Sequence, residues 1–332
     1  MVNVIAVASH AGVSPATVSR VLAGRVPVAA ATRARVLQSV EQLGYRPNET
    51  ARSLRAGRGR AVALVTGDIE QGLYAGLAKH VQGEIEGLGL DLLLFNLGHR
   101  EDRLQHFLER APSLGLRGIV LASPHVMDMA QLAPAMRAVM RSGVTVLSVS
   151  QDLSSFDIAS IVHDETGGAA MATEHLLDQD RAPVGFLGRI ETSAVGRARF
   201  DGYRTALEAR GIEVDPDLVW DISKGYRADA GYQAASRAID TGLRFRSVLA
   251  ASDELALGGM AAAADRGLAV PQDIAFVGFG GLGWGVFARP AMTTVSLDAY
   301  AMALAVGEVF RSGSLPHRQI IPTKLVIRRS SC

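Results

Sequence analysis

Cysteine is almost absent from this chain of 332 residues: the one thiol is Cys332. No intrachain disulfide is possible, so a disulfide framework of the kind that supports small secreted domains is excluded. Long apolar runs are missing too, and none reaches the ~18–20 residues of a membrane-spanning helix. The apolar stretch Val2–Val7 is short, has no basic lead-in and precedes no small-residue cleavage site, so it does not read as a secretory signal. Together these absences predict a cytoplasmic protein that makes no use of a membrane. Catalytic signatures are also lacking. The eight histidines form no H-E-x-x-H, and there is no C-x-x-C, phosphate-binding lysine loop or G-x-S-x-G. No metal, cofactor or catalytic residue is expected.

Acids are scarce in one region. Residues 1–60 hold nine arginines, no lysine and only Glu41 and Glu49, a net charge of +7. The whole chain is +1, so residues 61–332 carry −6. A solvated charged face would intersperse acids. A basic head on an acidic body instead offers phosphates a directed attraction.

Within that head, residues 11–22 read Ala-Gly-Val-Ser-Pro-Ala-Thr-Val-Ser-Arg-Val-Leu. Gly12 supplies the positive φ of a tight turn, Ser14 is a suitable N-cap and Pro15 a suitable first helical residue. Val18, Val21 and Leu22 then share one helical face, while Pro15, Ala16, Ser19 and Arg20 share the other. A helix that buries aliphatics and shows small, hydroxyl and guanidinium groups suits a DNA major groove. The alternative is an ordinary amphipathic hairpin. Asn3 can cap a preceding helix over Val4–His10. A third is expected over Ala30–Leu43, with Val36, Val40 and Leu43 inward and Gly44 at its end. Beyond it, Pro47 interrupts the chain, Asn48 can cap a helix of about eight residues, and Gly57 and Gly59 end it. A helix so short needs outside support. Its Leu54, between Arg52 and Arg55, is either a minor-groove wedge or a structural residue in a linker.

The head resembles that of the lactose-repressor (LacI/GalR) family of bacterial transcription regulators. The resemblance is carried by Val7-Ala8, Ala11–Ser14, Thr17–Leu22, Thr32-Arg33, Gly44-Tyr45, Pro47-Asn48, Ala51 and Leu54. It implies that the second helix, through Ser14, Pro15, Ala16, Thr17, Ser19 and Arg20, reads the major groove of operator DNA. It also implies a hinge helix with Asn48, Ala51 and Leu54 that pairs with the hinge of a second subunit and inserts its leucine into the minor groove. Ala6, Ala23 and Ala29 stand where the family usually has Asp, Asn and Ser, which removes caps and phosphate contacts.

From Ala61 onward, short apolar strands alternate with amphipathic helices. Strands are expected at Ala61–Thr66, Leu90–Asn96, Arg117–Ala122, Val144–Val149, Ala159–Val162, Val184–Gly188, Ser247–Ala251 and Ile274–Phe279. This pattern predicts α/β layers with parallel sheets covered on both faces. Eight strands over some 270 residues suggest two lobes, with the Ser-rich stretch Ser150–Asp157 as the crossing. The resemblance extends here through Asp164–Leu177, Arg199–Tyr203, Ser252–Gly258, Gly267–Pro271, Asp273–Phe279 and Pro290–Val295. It implies a two-lobed, doubly wound core similar to periplasmic sugar-binding proteins. The expected organisation is therefore a small all-α helix-turn-helix head at 1–45, a hinge helix and linker at 46–59, and an effector-binding and dimerisation core at 60–332. The chain is expected to pass between lobes near 150–162 and again near 288–296.

In such folds the ligand meets strand C-termini. Arg199 offers planar donors to hydroxyls or a carboxylate. Asp253 can accept from hydroxyls or cap the helix that follows it. Tyr226 can stack on a sugar face. Tyr74, Asp164 and Gly280 complete the expected effector site. Gly278-Phe-Gly280-Gly-Leu-Gly283 also fits the dinucleotide fingerprint, but Gly285 and Pro290 oppose the helix that the fingerprint must open.

The leading expectation is a dimeric repressor of a palindromic operator, with a higher oligomer as the alternative, modulated by a small carbohydrate-type effector. An NAD-dependent oxidoreductase and a solute-binding protein are the rival classes. Family members usually carry two acids where this chain has Gly280 and Gly281. Relatives that respond to sugar acids such as gluconate look altered there as well. A neutral sugar remains the favoured effector, with a sugar acid as the alternative.

Overall fold

Three short helices make the head. In the computed structural model, which describes residues 2–23, 27–45, 59–98, 100–222, 225–242 and 244–332, they are α1 (Val4–Ala11), α2 (Pro15–Ala23) and α3 (Ala30–Gln42). Asn3 caps α1 by accepting from the Ala6 N–H at 2.9 Å. Gly12 ends it at φ +63°, in the left-handed region that only glycine enters cheaply. Ser14 then accepts from the Thr17 N–H at 3.2 Å and opens α2. Val7, Ala8, Ala11, Val18, Val21 and Val36 form one small core. His10 Nδ1 and Ser39 Oγ, 3.0 Å apart, tie α1 to α3. Ala29 stands at the start of α3 without a side-chain cap, a consequence of one departure from the family pattern. Residues 46–58, which carry Asn48, Ala51 and Leu54, lie outside the described residues.

The chain divides into two compact units, residues 1–59 and 60–332. The second unit contains two six-stranded sheets. The first holds β1 (Ala61–Thr66), β2 (Asp91–Asn96), β3 (Leu116–Ala122), β4 (Thr145–Ser148), β5 (Ala159–His163) and β11 (Arg318–Ile321), in the order β11-β5-β4-β3-β1-β2 and all parallel. Side chains alternate across it. Ala63 and Val65 face α5 (Glu101–Arg110) and α6 (Met129–Arg141), while Val62 and Leu64 face α4 (Gly72–Gly87) and α11 (Ala299–Ser312).

The second sheet holds β6 (Val184–Gly188), β7 (Val219–Asp221), β8 (Ser247–Ala250), β9 (Ala275–Gly280), β10 (Thr293–Ser296) and β12 (Lys324–Val326), in the order β12-β10-β9-β8-β6-β7. Only β12 is antiparallel to its neighbour. Its helices are α7 (Glu165–Asp178), α8 (Ala194–Ala209), α9 (Ala228–Asp240) and α10 (Asp253–Asp265).

The crossings differ from expectation. The stretch 150–157 joins β4 to β5 inside the first sheet, so it is not a crossing. A solvated loop and an interlobe strand share the same polar composition, and sequence alone did not separate them. The chain first passes over between β5 and α7, at 164, just beyond the expected 150–162. It returns after β10, at 297–298, beyond the expected 288–296, and passes a third time at 322–323 between β11 and β12.

Candidate functional site

The exposed face of α2 is the one the sequence suggested. Ser14, Pro15, Ala16, Ser19 and Arg20 are exposed, whereas Val18 and Val21 are buried. Thr17 is half-buried, and its hydroxyl lies 2.9 Å from that of Ser14, within the cap. Arg33 and Arg35 of α3 are exposed as well. The head thus presents small and hydroxyl groups at the start of one helix and guanidinium groups around it. This arrangement fits a groove wall and its phosphates.

In the body, the C-terminal ends of both sheets face one another across a cleft. Tyr74, Arg199, Tyr226, Asp253 and Gly280 line one cavity there, of about 40 Å³. A second cavity of about 40 Å³ also touches Tyr74 and Arg199 and is bounded by Glu165, His163 and Ser150. Both are too small for a sugar, so the lobes close tightly around Arg199; nearer the crossings the cleft widens into a cavity of about 690 Å³ lined by Gly72, His80, Gly280, Leu282, Asp298 and Lys324. Backbone contacts hold the lobes together. The Val126 N–H donates to Thr192 O at 3.3 Å and the Ala194 N–H to Pro124 O at 2.9 Å, a short bridge between lobes. The Gly72 N–H donates to Glu254 Oε1 at 3.1 Å, and Arg227 pairs with Glu70. Another cavity, of about 220 Å³, lies wholly within the first lobe, between α5 and α6.

Arg199 is the centre of the cleft. Its Nε donates to Glu165 Oε2 at 2.7 Å, its Nη1 donates to the Ala251 carbonyl, and its guanidinium lies 4.0 Å from the centre of the Phe279 ring. Burial opposes its charge, but the Glu165 carboxylate outweighs burial and holds its pKa above the ordinary value. Tyr74 and Tyr226 are both buried, and burial raises both phenols. Tyr226 donates to Ser193 Oγ at 2.7 Å.

Two expectations need correction. Asp164 is exposed and lines neither cavity. It caps α7 by accepting from the Gly167 N–H at 2.9 Å, because a carboxylate just before a first turn satisfies its orphan donors. The acid that reaches the cleft is its neighbour, Glu165. Asp253 does line the cleft, but it is not the cap of α10; Ser252 is, accepting from the Leu255 N–H at 3.0 Å. The Asp253 carboxylate is committed to the glycine loop instead. It accepts from Thr294 Oγ1 at 2.5 Å and from the Leu282 N–H at 2.6 Å. Burial raises its pKa against those bonds.

The loop itself explains its glycines. Gly280 sits at φ +138° and Gly281 at +73°, and a Cβ on Gly281 would lie 2.6 Å from Ser296 Oγ. After the loop comes a single five-residue 3-10 turn, Gly283–Phe287, and not the α-helix that a dinucleotide fingerprint opens.

Sequence reasoning missed Arg189, Gln71 and Glu165. A charged residue directly after the apolar β6 run was the available signal for Arg189, since strand ends in these folds meet the ligand.

Comparison with known proteins accords with both units. Residues 5–48 match bacterial regulatory proteins of the lacI family, and residues 173–331 match a periplasmic binding protein-like domain. The HTH-type transcriptional regulator GalR of Escherichia coli (strain K12) is 30% identical over 309 residues, spanning 93% of this chain and 88% of the relative. The chain belongs to the lacI family of bacterial regulatory proteins. It is a DNA-binding transcription regulator, and members of this family are not enzymes. A transcriptional regulator CelR–cellobiose complex shares 27% identity at a TM-score of 0.71, covering 99% of this chain and 100% of that one. The lac repressor dimer bound to operator and the anti-inducer ONPF shares the fold, at 23% identity and a TM-score of 0.82 over 99% of both chains. Among the described residues no helix is long and apolar enough to cross a membrane.

Proposed function

We propose that this chain represses transcription from the cytoplasm as a homodimer on a palindromic operator, and that a small carbohydrate-type effector in the interlobe cleft changes its grip. The observation that carries this reading is the interlobe cleft, where both lobes converge on the Arg199–Glu165 pair between two tyrosines. The cavities at Arg199, near 40 Å³ each, admit no sugar, so a ligand reaches Arg199 in a more open form and shifts the balance of closure. The cellobiose complex of CelR supports the effector class, and the operator-bound lac repressor dimer supports the assembly. Edge strand β2 adds to the case for a second copy, with Leu93 and Leu94 40% and 48% exposed. In this reading Ser14, Pro15, Ala16, Thr17, Ser19 and Arg20 face the major groove, and Asn48, Ala51 and Leu54 the minor groove.

A gel-shift assay on DNA upstream of the chain's own gene, with sugars and sugar acids added, tests the proposal. The expected result is a retarded complex whose affinity changes with one of these compounds. Arg20→Ala is expected to cost roughly 1–3 kcal/mol on the operator and to relax base preference. Equal affinity for operator and random DNA, or indifference to every compound, would overturn it.

A further inference from the structure

Among the described residues, each carboxylate that lines the two cavities accepts at least one hydrogen bond, whereas two buried donors near them find no acceptor. Glu165 is committed to Arg199, Asp253 to Thr294 and Leu282, and Glu254 accepts from Gly72. Two donors, in contrast, have no hydrogen-bond partner among the described residues: Gln71 Nε2 from the first lobe and Arg189 Nη1 from the second. Both residues are more than nine-tenths buried, at 6% and 3% exposure. Gln71 lines the cleft cavity. Arg189 lies 5.6 Å over the ring of Tyr226, which lines the same cavity, and its other nitrogens reach Thr192 and His125. The Asp221 oxygens near it accept from the backbone N–H groups of Ile190 and Glu191. Arg189 forms no ion pair among the described residues. Burial lowers its pKa, and neither the phenols nor Asp221 offsets that. A buried cation with an idle N–H is costly unless an acceptor arrives to meet it.

We propose that the effector carries an anionic group, carboxylate or phosphate, on a small polyhydroxylated frame, and that Arg189 and Gln71 receive it from opposite lobes as the cleft closes. This rests on the effector reading above and narrows its ligand class. Arg189 stands directly before the 192–194 segment that bridges the lobes. An anion held there couples its own binding to closure, because only the closed form offers donors from both sides. The absence of acids at Gly280 and Gly281 removes repulsion that would otherwise oppose it.

Calorimetric titration of the full chain decides this, using matched sets: glucose with gluconate and glucose 6-phosphate, and galactose with galactonate and galactose 1-phosphate. At least one anionic member is expected to bind about tenfold or more tighter than its neutral counterpart. The carboxylate and phosphate arms identify which anion is preferred. Arg189→Met is expected to bring the anion-to-neutral ratio close to one, and Arg189→Lys, which keeps the charge, to retain most of it. Gln71→Met is expected to lower the ratio and carries the test if Arg189→Met fails to fold. Tighter binding of the neutral member in every set overturns the anion proposal while leaving the effector reading intact. A preference that survives in Arg189→Met also overturns it. Failure of all six compounds to bind takes down both.

Discussion

Glu165 supplies the counter-charge for a buried guanidinium. With Arg199 at 5% and Glu165 at 11% side-chain exposure, water screens the pair little, and each charge depends on the other. Glu165→Gln keeps the shape and removes the counter-charge. It is expected to destabilise the body by about 3–5 kcal/mol in urea denaturation, since Arg199 is left unpaired. A loss below about 1 kcal/mol would mean that Ala251 and Phe279 alone hold Arg199. Arg199 was legible in the sequence because its motif placed it after β6. Glu165 was not, for a local reason. Asp164 and Glu165 are adjacent acids before one helix, and either can serve as cap on paper. The backbone gives the cap to the first, φ −75° and ψ 76°, and sends the second into the cleft. Asp253 misled in the same way: composition identified an acid after a strand, but not the loop that would occupy both its oxygens.

Among elements, the eight strands expected from apolar runs are all present with small shifts at their ends. The others, β7, β10, β11 and β12, have three or four residues each. Runs this short carry too little alternation to stand out, and their pairing is fixed by neighbours far away in sequence. Close helix contacts were equally hidden. In α9 and α10 the glycines Gly231 and Gly258 let two backbones touch: a Cβ on Gly258 would fall 1.9 Å from the Ala228 carbonyl oxygen, and one on Gly231 would fall 2.3 Å from that of Leu255. Backbone cannot step aside as a side-chain tip can. Gly258→Val is therefore expected to cost about 3 kcal/mol or more by thermal or chemical denaturation. Gly83→Ala, on the open face of α4 with nothing within 4 Å, is expected to stabilise by about 0.5–1 kcal/mol. Similar effects from the two would refute the close-approach argument.

At the scale of the molecule, the proposed function depends on closure of the two lobes. The bridge of 124–126 to 192–194 is the part of that closure that can be removed selectively. Ala194 is the first residue of α8, a position where proline is tolerated because the N–H has no helical partner. Ser193 before it is already extended, φ −136° and ψ 119°, as a residue preceding proline must be. The Ala194 N–H makes one bond that proline would delete, the 2.9 Å contact to Pro124 O across the cleft. The Glu70–Arg227 pair is too exposed to replace it, with side chains 68% and 54% accessible. Ala194→Pro should thus leave each lobe folded and move the balance toward the open form by about 1 kcal/mol, roughly fivefold. Small-angle scattering of the ligand-free protein is expected to give a larger radius of gyration than wild type, with the thermal midpoint little changed. Effector affinity is expected to fall by a similar factor, because closing onto the ligand must then be driven without that bond. Through linkage, the effector's influence on operator affinity must equal the operator's influence on effector affinity, in the variant as in wild type. If scattering and effector affinity both stay at wild-type values, the bridge is packing and not a latch, and closure is controlled from the three crossing strands instead.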